Sequence, residues 1–289
     1  MKKISKLAVV VLSSIMIGSC GSQKSKNQLT ELGAVDKEGY VNLYNGKDMD
    51  NWDIMCRNFN RDLAKKVFTA GENGEMHVFK DFPDEGTTNA GKSLTHCMFF
   101  TKEKYSKYSF KFEYKWGTKT YNNFNQFQYD AGLYYHVFDV AIWPQGIEYQ
   151  VRYNHLENRN HTGDIWNSGA KFDWVADEKV SDPKMKTYLS LKDGGVVQEH
   201  RGGEHRAHKN APFHALDGQW NQCEIIVMGN QYAIHKLNGV VVNVLTNLSL
   251  IEGVIGLQSE TAEVFYRNIK IKEFKEDIPM EVFLNKSKK

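Results

Sequence analysis

Residues 146–155 read Gly146-Ile147-Glu148-Tyr149-Gln150-Val151-Arg152-Tyr153-Asn154-His155, and the fold is read outward from this stretch. The alternation is strict. In an extended strand successive side chains point to opposite faces, so Ile147, Tyr149, Val151 and Tyr153 share one side while Glu148, Gln150, Arg152 and Asn154 share the other. The first row is apolar. The second offers an acid, two amides and a guanidinium about 7 Å apart along the strand, which suits a hydroxyl-rich ligand. The row is therefore expected to floor a polar cleft. A solvated outer face is the bland alternative, and alternation does not separate the two.

The same period recurs along the chain. Tyr108, Phe110, Phe112, Tyr114 and Trp116 alternate with Ser109, Lys111, Glu113 and Lys115, the signature of a half-buried antiparallel strand. Val41 to Asp48 reads as a short strand ending in an Asn45-Gly46 turn, with Trp52 as a core anchor, and Asn238-Gly239 marks a hairpin between Gln231–Leu237 and Val240–Leu245. About eleven candidate strands emerge. No amphipathic helix appears after the N-terminal segment, and residues 171–217 read as one long loop. The expected fold is all-β, an antiparallel β-sandwich of jelly-roll type spanning residues 39–276 as a single domain, with 277–289 as a tail.

Composition narrows the partners. The 289 residues, 41% hydrophobic and 12% aromatic, can bury a sizeable core, and a net charge of +2 without a dense basic run gives no footprint for nucleic acid. The N-terminus has its own logic. Lys2, Lys3 and Lys6 precede an apolar run from Leu7 to Ile17 too short to span a bilayer, and Gly18-Ser19-Cys20 follows. This resembles a bacterial lipoprotein signal over residues 1–19, with Cys20 as the lipidated residue and 20–38 as a flexible tether. The domain is thus expected outside the cytoplasm, touching membrane only through its anchor. Gly21 and Ser22 carry no inner-membrane retention aspartate, which favours the outer membrane. Cys56, Cys97 and Cys223 lack the spacing of a zinc site and allow at most one disulfide.

Other strands offer polar groups to the same cleft. Asp130, Gly132, Tyr134 and His136 are expected on one face of their strand, and Gln258 and Glu260 on one face of theirs. Arg267 interrupts an apolar row, so it needs a carboxylate or a ligand. A structural salt bridge is its bland reading. Glu148 is the first choice of acid, since Gln150 and Arg152 can orient it and burial can raise its pKa. Glu148 with Glu260 also suggests a glycosidase pair, which only their separation would decide. His161 is placed near the cleft as a hydrogen-bonding group, with a structural histidine as its alternative. Trp143, Tyr149, Tyr153, Trp166 and Trp174 surround the stretch; most are expected in the core and one or two as sugar platforms. His200, His205, His208 and His214 with Glu199 and Glu204 match no strong ligand motif, so no metal site is assigned, and a divalent cation stays an open option.

Taken together, these motifs resemble the 3-keto-disaccharide hydrolase family of concanavalin-like jelly rolls, abundant among lipoproteins of Bacteroidetes. The resemblance runs from about Gly39 to Phe274. It rests on Leu43-Tyr44-Asn45-Gly46-Lys47-Asp48-Met49 with Trp52, the Tyr105 to Trp116 strand, Gly146-Ile147-Glu148-Tyr149-Gln150, Thr162-Gly163, Gln219-Trp220-Asn221, Leu237-Asn238-Gly239, Gly256-Leu257-Gln258 and Phe265-Tyr266-Arg267-Asn268-Ile269. The chain departs from the family in reading Asp130-Ala131-Gly132 where Asn-Ser-Gly is usual, in ending that strand at His136, in lacking the aspartate after the Glu-x-Gln motif, and in carrying Ser259-Glu260 where a histidine is frequent. The resemblance implies cleavage of glycosides already oxidised to a ketone at carbon 3, supplied by a separate sugar 3-dehydrogenase. For that chemistry Glu148 is assigned as base, with Glu260 among the catalytic groups and Arg267 or His136 stabilising the enolate or ketone. Substrate binding then falls to Gln150, Gln258, Asp130, Tyr134, Arg152, Asn154, Trp143 and His161. A non-catalytic, lectin-like carbohydrate binder is the competing expectation.

Overall fold

A computed structural model of the protein describes residues 31–82, 96–121, 127–179, 186–199, 203–208, 211–260 and 262–284. The expected signal, Cys20 and the first part of the tether lie outside these residues. In chain order the first strands are β1 (Val41–Asn42), β2 (Trp52–Cys56), β3 (Phe68–Ala70), β4 (Met76–Val78), β5 (Cys97–Thr101) and β6 (Lys107–Thr120). Next come β7 (Tyr129–Asp139), β8 (Gln145–Asn154), β9 (Arg159–Asn160), β10 (Ile165–Ser168), β11 (Asp173–Ala176), β12 (Val196–Glu199) and β13 (Gly203–His205). The last are β14 (Asn221–Met228), β15 (Tyr232–Leu237), β16 (Val240–Thr246), β17 (Val254–Ser259) and β18 (Ala262–Glu273). Two short α-helices, α1 (Arg61–Val67) and α2 (Glu281–Leu284), and two 3-10 turns, Arg57–Phe59 and Leu191–Asp193, complete the described elements.

The strands form two sheets. One runs β12-β11-β16-β15-β14-β6-β18-β4-β3 with β1 on β18; the other runs β13-β10-β8-β7-β17-β5-β2 with β9 on β8. All of these ladders are antiparallel, as expected for a sandwich. Between the sheets lies one large core. The aromatic row of β6, Tyr108 through Trp116, is buried in it, and so are Ile147, Tyr149 and Val151 of β8. Burying such side chains contributes roughly 1.5–3 kcal/mol each.

Several phenols act as posts across this core. The Tyr149 hydroxyl donates to Lys236 O at 3.0 Å, and the Tyr266 hydroxyl donates to Gln258 O at 2.8 Å. The Tyr135 hydroxyl meets His235 Nε2 at 2.9 Å, and that of Tyr114 meets Thr162 Oγ1 at 2.6 Å. A one-residue slip of β8 would pull Tyr149 from the core and its hydroxyl from Lys236, so register is fixed. Fixing Tyr149 inward fixes Glu148 and Gln150 outward.

Three stretches differ from the reading of the sequence. The weakly patterned region after β2 contains α1, whose start is capped by the Asn60 side chain accepting from Leu63 N at 2.9 Å and whose Ala64 and Val67 are buried. Seven residues are too few to display a helical period. Residues 171–217 contain β11, β12 and β13 rather than a plain loop, each of only three or four residues. At the ends, Gly33 N and Asn42 N bond Asn42 O and Ala34 O at 2.9 Å, so residues 31–38 dock on β1 instead of continuing a tether. Likewise Phe283 of α2 is buried against Phe274 and joins the tail to the core. Among the described residues no helix is long and apolar enough to cross a membrane.

Candidate functional site

The site lies on the outer face of the second sheet, where β8 is central. Its outward row faces β7 and β10: Glu148 stands opposite Tyr134 and Trp166, Gln150 opposite Gly132, and Arg152 opposite Asp130. Beyond β7, Gly256 of β17 stands opposite Tyr134. A cleft of about 320 Å³ opens above this row, lined by Tyr134, Trp143, Glu148, Gln150, Arg152, Trp166 and Glu260, among others. The volume falls at the small end of ligand sites. Two larger clefts exist, of about 610 and 630 Å³. Neither gathers buried carboxyl groups, so the chemistry favours the smaller one.

Glu148 is 3% exposed although it carries a carboxyl group. Gly132 makes room for it: a Cβ there would stand 2.8 Å from Glu148 Cδ, closer than side chains tolerate. Burial raises the Glu148 pKa well above the usual carboxylate range, and the nearby Asp130 and Glu260 charges raise it further, while Arg152 and the Tyr134 phenol act the other way. Asp130 is likewise pushed up, to about 8, by burial and by the Glu260 and Glu204 charges against the pull of Arg152. Asp130 takes Gln150 Nε2 on Oδ1 at 2.7 Å and Arg152 Nε and Nη2 on Oδ2 at 2.9 Å, all donors to its charged form. These contacts favour the charged form of Asp130 over that of Glu148. Tyr134, buried beside these acids, has its phenol pKa pushed well up by burial and remains a neutral donor.

Arg152 is held from two sides. Besides Asp130 it meets Glu204 of β13, with Nη1 3.2 Å from Oε1. Glu204 and Asp164 in turn hold Arg206, and Asp164 receives His161 at 2.9 Å. His161, Asp164 and Glu204 present ligand atoms within 4.8 Å of one another, the grouping a cation would need. Arg206 Nη1 already sits among them, 2.9 Å from His161 Nδ1, 2.9 Å from Asp164 Oδ2 and 2.5 Å from Glu204 Oε1. A guanidinium thus fills the place of a metal ion, and these residues fit one only if Arg206 leaves.

On the opposite rim, Glu260 bonds His96, with Oε1 2.9 Å from Nε2. His96 is 1% exposed and leads directly into Cys97, which is disulfide-bonded to Cys56 on the neighbouring strand. Trp143 stands 5.3 Å from the His96 ring and carries the Arg57 guanidinium 4.6 Å over its face. Trp143 and Trp166 keep 48% and 44% of their surface exposed, so their rings stand open at the cleft. Tyr149, Tyr153 and Trp174 are core.

Of the residues expected here, Glu148, Gln150, Arg152, Tyr134, Trp143 and Glu260 converge on the cleft, with Asp130 directly behind Arg152. Gln258 is buried on the same sheet opposite Met98, and its side-chain amide has no hydrogen-bond partner among the described residues. His161 lies one layer away, bound to Asp164. Asn154 caps the turn that follows β8, its Oδ1 accepting from Leu156 and Glu157 N at 3.2 Å. Two expectations require correction. His136 has φ of 51°, which breaks the alternation of β7 and turns its imidazole inward to Gly229 O at 3.0 Å. Burial lowers its pKa to about 4, so it is a neutral structural histidine. Arg267 lies in the other sheet, directly opposite Glu113, with Nε 2.7 Å from Oε2 and its guanidinium 4.0 Å over Trp220. It is the structural salt bridge.

Reading by sequence missed Glu204 as an Arg152 partner, Asp164, Arg206 and His96. Glu204 stood out only as a possible metal ligand among the loop histidines, and His96 carries no local signal beyond preceding a cysteine.

A buried acid beside a guanidinium, on the open face of a two-sheet antiparallel sandwich and flanked by exposed tryptophans, defines a concanavalin-like jelly roll of the glycosyl hydrolase-like or carbohydrate-binding class. The chain belongs to the family of 3-keto-alpha-glucoside-1,2-lyase-like domains, which matches residues 39–272. Among solved structures it is similar to a "putative glycosyl hydrolase" from Parabacteroides distasonis at 17% identity, covering 84% of this chain and 99% of that one with a TM-score of 0.49. A second such protein from the same organism is 16% identical, with 79% and 96% covered and a TM-score of 0.44. The carbohydrate binding module CBM66 from Bacillus subtilis is 11% identical, with 63% and 84% covered and a TM-score of 0.36. No curated protein matches the chain.

Proposed function

We propose that the protein cleaves 3-keto-glycosides by removing the proton at carbon 2 and eliminating the substituent at carbon 1. The observation that carries this reading is Glu148, a carboxyl buried in a small cleft with its proton affinity raised. A carboxylate of ordinary strength is a poor base for a carbon acid. A ketone at carbon 3 acidifies the carbon-2 proton, and a buried carboxylate with raised pKa narrows the remaining gap. The enolate that forms is negative. Arg152 supplies a fixed positive charge and Tyr134 a neutral hydrogen-bond donor on the same floor, in a site shielded from bulk water. Trp143 and Trp166 offer aromatic faces to the CH side of a sugar ring.

The test is release of aglycone from a 3-keto-glucoside, together with exchange of the carbon-2 hydrogen in heavy water followed by NMR. Wild-type protein should do both, and Glu148→Gln neither. Full turnover by Glu148→Gln would remove the assignment. The exposed tryptophans also favour a second reading, a carbohydrate-binding protein without chemistry. In that case Trp143→Ala would weaken binding to sugar, while wild-type protein would release nothing.

The setting follows from the same proposal. Lipidation at Cys20 would hold the domain on the outer membrane, and the Cys56–Cys97 disulfide supports an oxidising compartment. The substrate would come from a dehydrogenase that oxidises carbon 3 of the sugar.

A further inference from the structure

Removing the carbon-2 proton leaves the other half of the reaction open, because the aglycone oxygen departing from carbon 1 also needs a proton. Of the acids gathered at the cleft, most are committed. Asp130 is pinned by Arg152 and Gln150, and Glu204 is pinned by Arg152 and Arg206. Glu148 is the base. Glu260 lines the same cleft as Glu148, and among the described residues its ionic partner is not a permanent cation but His96, at 2.9 Å. Glu260 is therefore the carboxyl of this cleft that no guanidinium pins.

The surroundings hold that pair in place. His96 is 1% exposed, its carbonyl accepts from Arg57 N at 3.0 Å, and the Cys56–Cys97 disulfide lies immediately beside both residues. Trp143 closes the same corner.

We propose that Glu260, positioned by His96, gives a proton to the aglycone oxygen as the bond to carbon 1 breaks. The proposal rests on the reading of Glu148 as the carbon-2 base. The balance is complete without a co-reactant. Glu148 takes the carbon-2 proton, the C–H electron pair becomes the double bond between carbons 1 and 2, and the electron pair of the C1–O bond leaves with the aglycone, which takes the proton of Glu260. A free alcohol and an unsaturated 3-keto sugar result. When water adds to the product, Glu260 takes a proton from it as its oxygen bonds carbon 1, and Glu148 returns its proton to carbon 2. The net change is hydrolysis, and both carboxyls return to their starting state.

Leaving groups of different basicity test this. A 4-nitrophenyl 3-keto-glucoside departs without protonation, whereas a methyl 3-keto-glucoside needs it. Glu260→Gln should lose about 100-fold or more on the methyl glycoside, change little on the nitrophenyl glycoside, and still exchange the carbon-2 hydrogen in heavy water. His96→Gln, a positioning change, should show the same split to a smaller degree, which a merely structural role would not produce. Equal losses on both leaving groups, or none, in both variants would overturn the assignment. A wild-type protein that neither exchanges carbon-2 hydrogen nor releases either alcohol would overturn the reading beneath it, and the assignment with it.

Discussion

Gly132 lies directly beneath the Glu148 carboxyl group, and a Cβ at that position would stand 2.8 Å from Glu148 Cδ. The glycine is required by this close approach, since its φ is not in the left-handed region. Gly132→Ala should push the carboxyl out of place. A displacement of about 1 Å at a reacting group costs on the order of 100-fold, and overpacking costs about 1–3 kcal/mol. Steady-state kinetics and thermal unfolding of this one variant check both.

Glu148 should be costly to the fold for the same reason that it is useful. Its pKa is raised in the folded protein, so its contribution to stability is fully present below the unfolded carboxylate pKa of about 4.3 and is lost as pH rises through the folded value. Glu148→Gln, which removes the charge but keeps the shape, is expected to stabilise the protein by about 0.5–2 kcal/mol at pH 8. At pH 4 the gain should vanish. Denaturant unfolding at the two pH values provides the measurement.

Catalysis should have the opposite dependence on pH. A base must be ionised, and the Asp130–Glu148 pair is shifted upward, with Asp130 at about 8. The rate with a 3-keto-glycoside should rise with pH along a limb well above the ordinary carboxylate range, falling about tenfold per pH unit below it. A flat profile from pH 5 to 8 would contradict a buried carboxylate base.

The two arginines should separate cleanly. Arg267 is partly exposed and bridges Glu113 across neighbouring strands, so Arg267→Met should cost about 1 kcal/mol or less and leave turnover within about twofold. Arg152 faces Asp130, Glu204 and the cleft. Arg152→Met leaves buried acids uncompensated, costing about 3–5 kcal/mol, and should abolish turnover under conditions where the variant remains folded by circular dichroism.

Cys56 and Cys97 close 41 residues of chain. Replacing both by serine should lower stability by about 2–4 kcal/mol. Because Arg57 and His96 flank the bond, the same variant should lose activity on the methyl glycoside more than on the nitrophenyl one, measured at a temperature where it is folded.

The sequence alone determined the strands near the site and their faces, because period-2 alternation is a local property of the chain. Ile147, Tyr149 and Val151 on one face with Glu148, Gln150 and Arg152 on the other could be read from ten residues, whereas the cleft above the polar row could not. Two-sheet antiparallel architecture followed from the same pattern repeated. Which sheet a residue joins, and what stands across from it, is a long-range matter. Arg267 and Arg152 look alike in sequence as charges in strands, but strand order sent one to Glu113 and the other to Asp130. His136 obeys the alternation on paper, and a single positive φ at a register break turned it away. His96 meets Glu260 at the cleft's rim only because β5 pairs with β2 and β17, bringing the two together from 164 residues apart. Alternation assigns a side chain to a face. Only the packing of distant strands assigns it a partner, and the partners decide which acids are pinned and which remain free to move a proton.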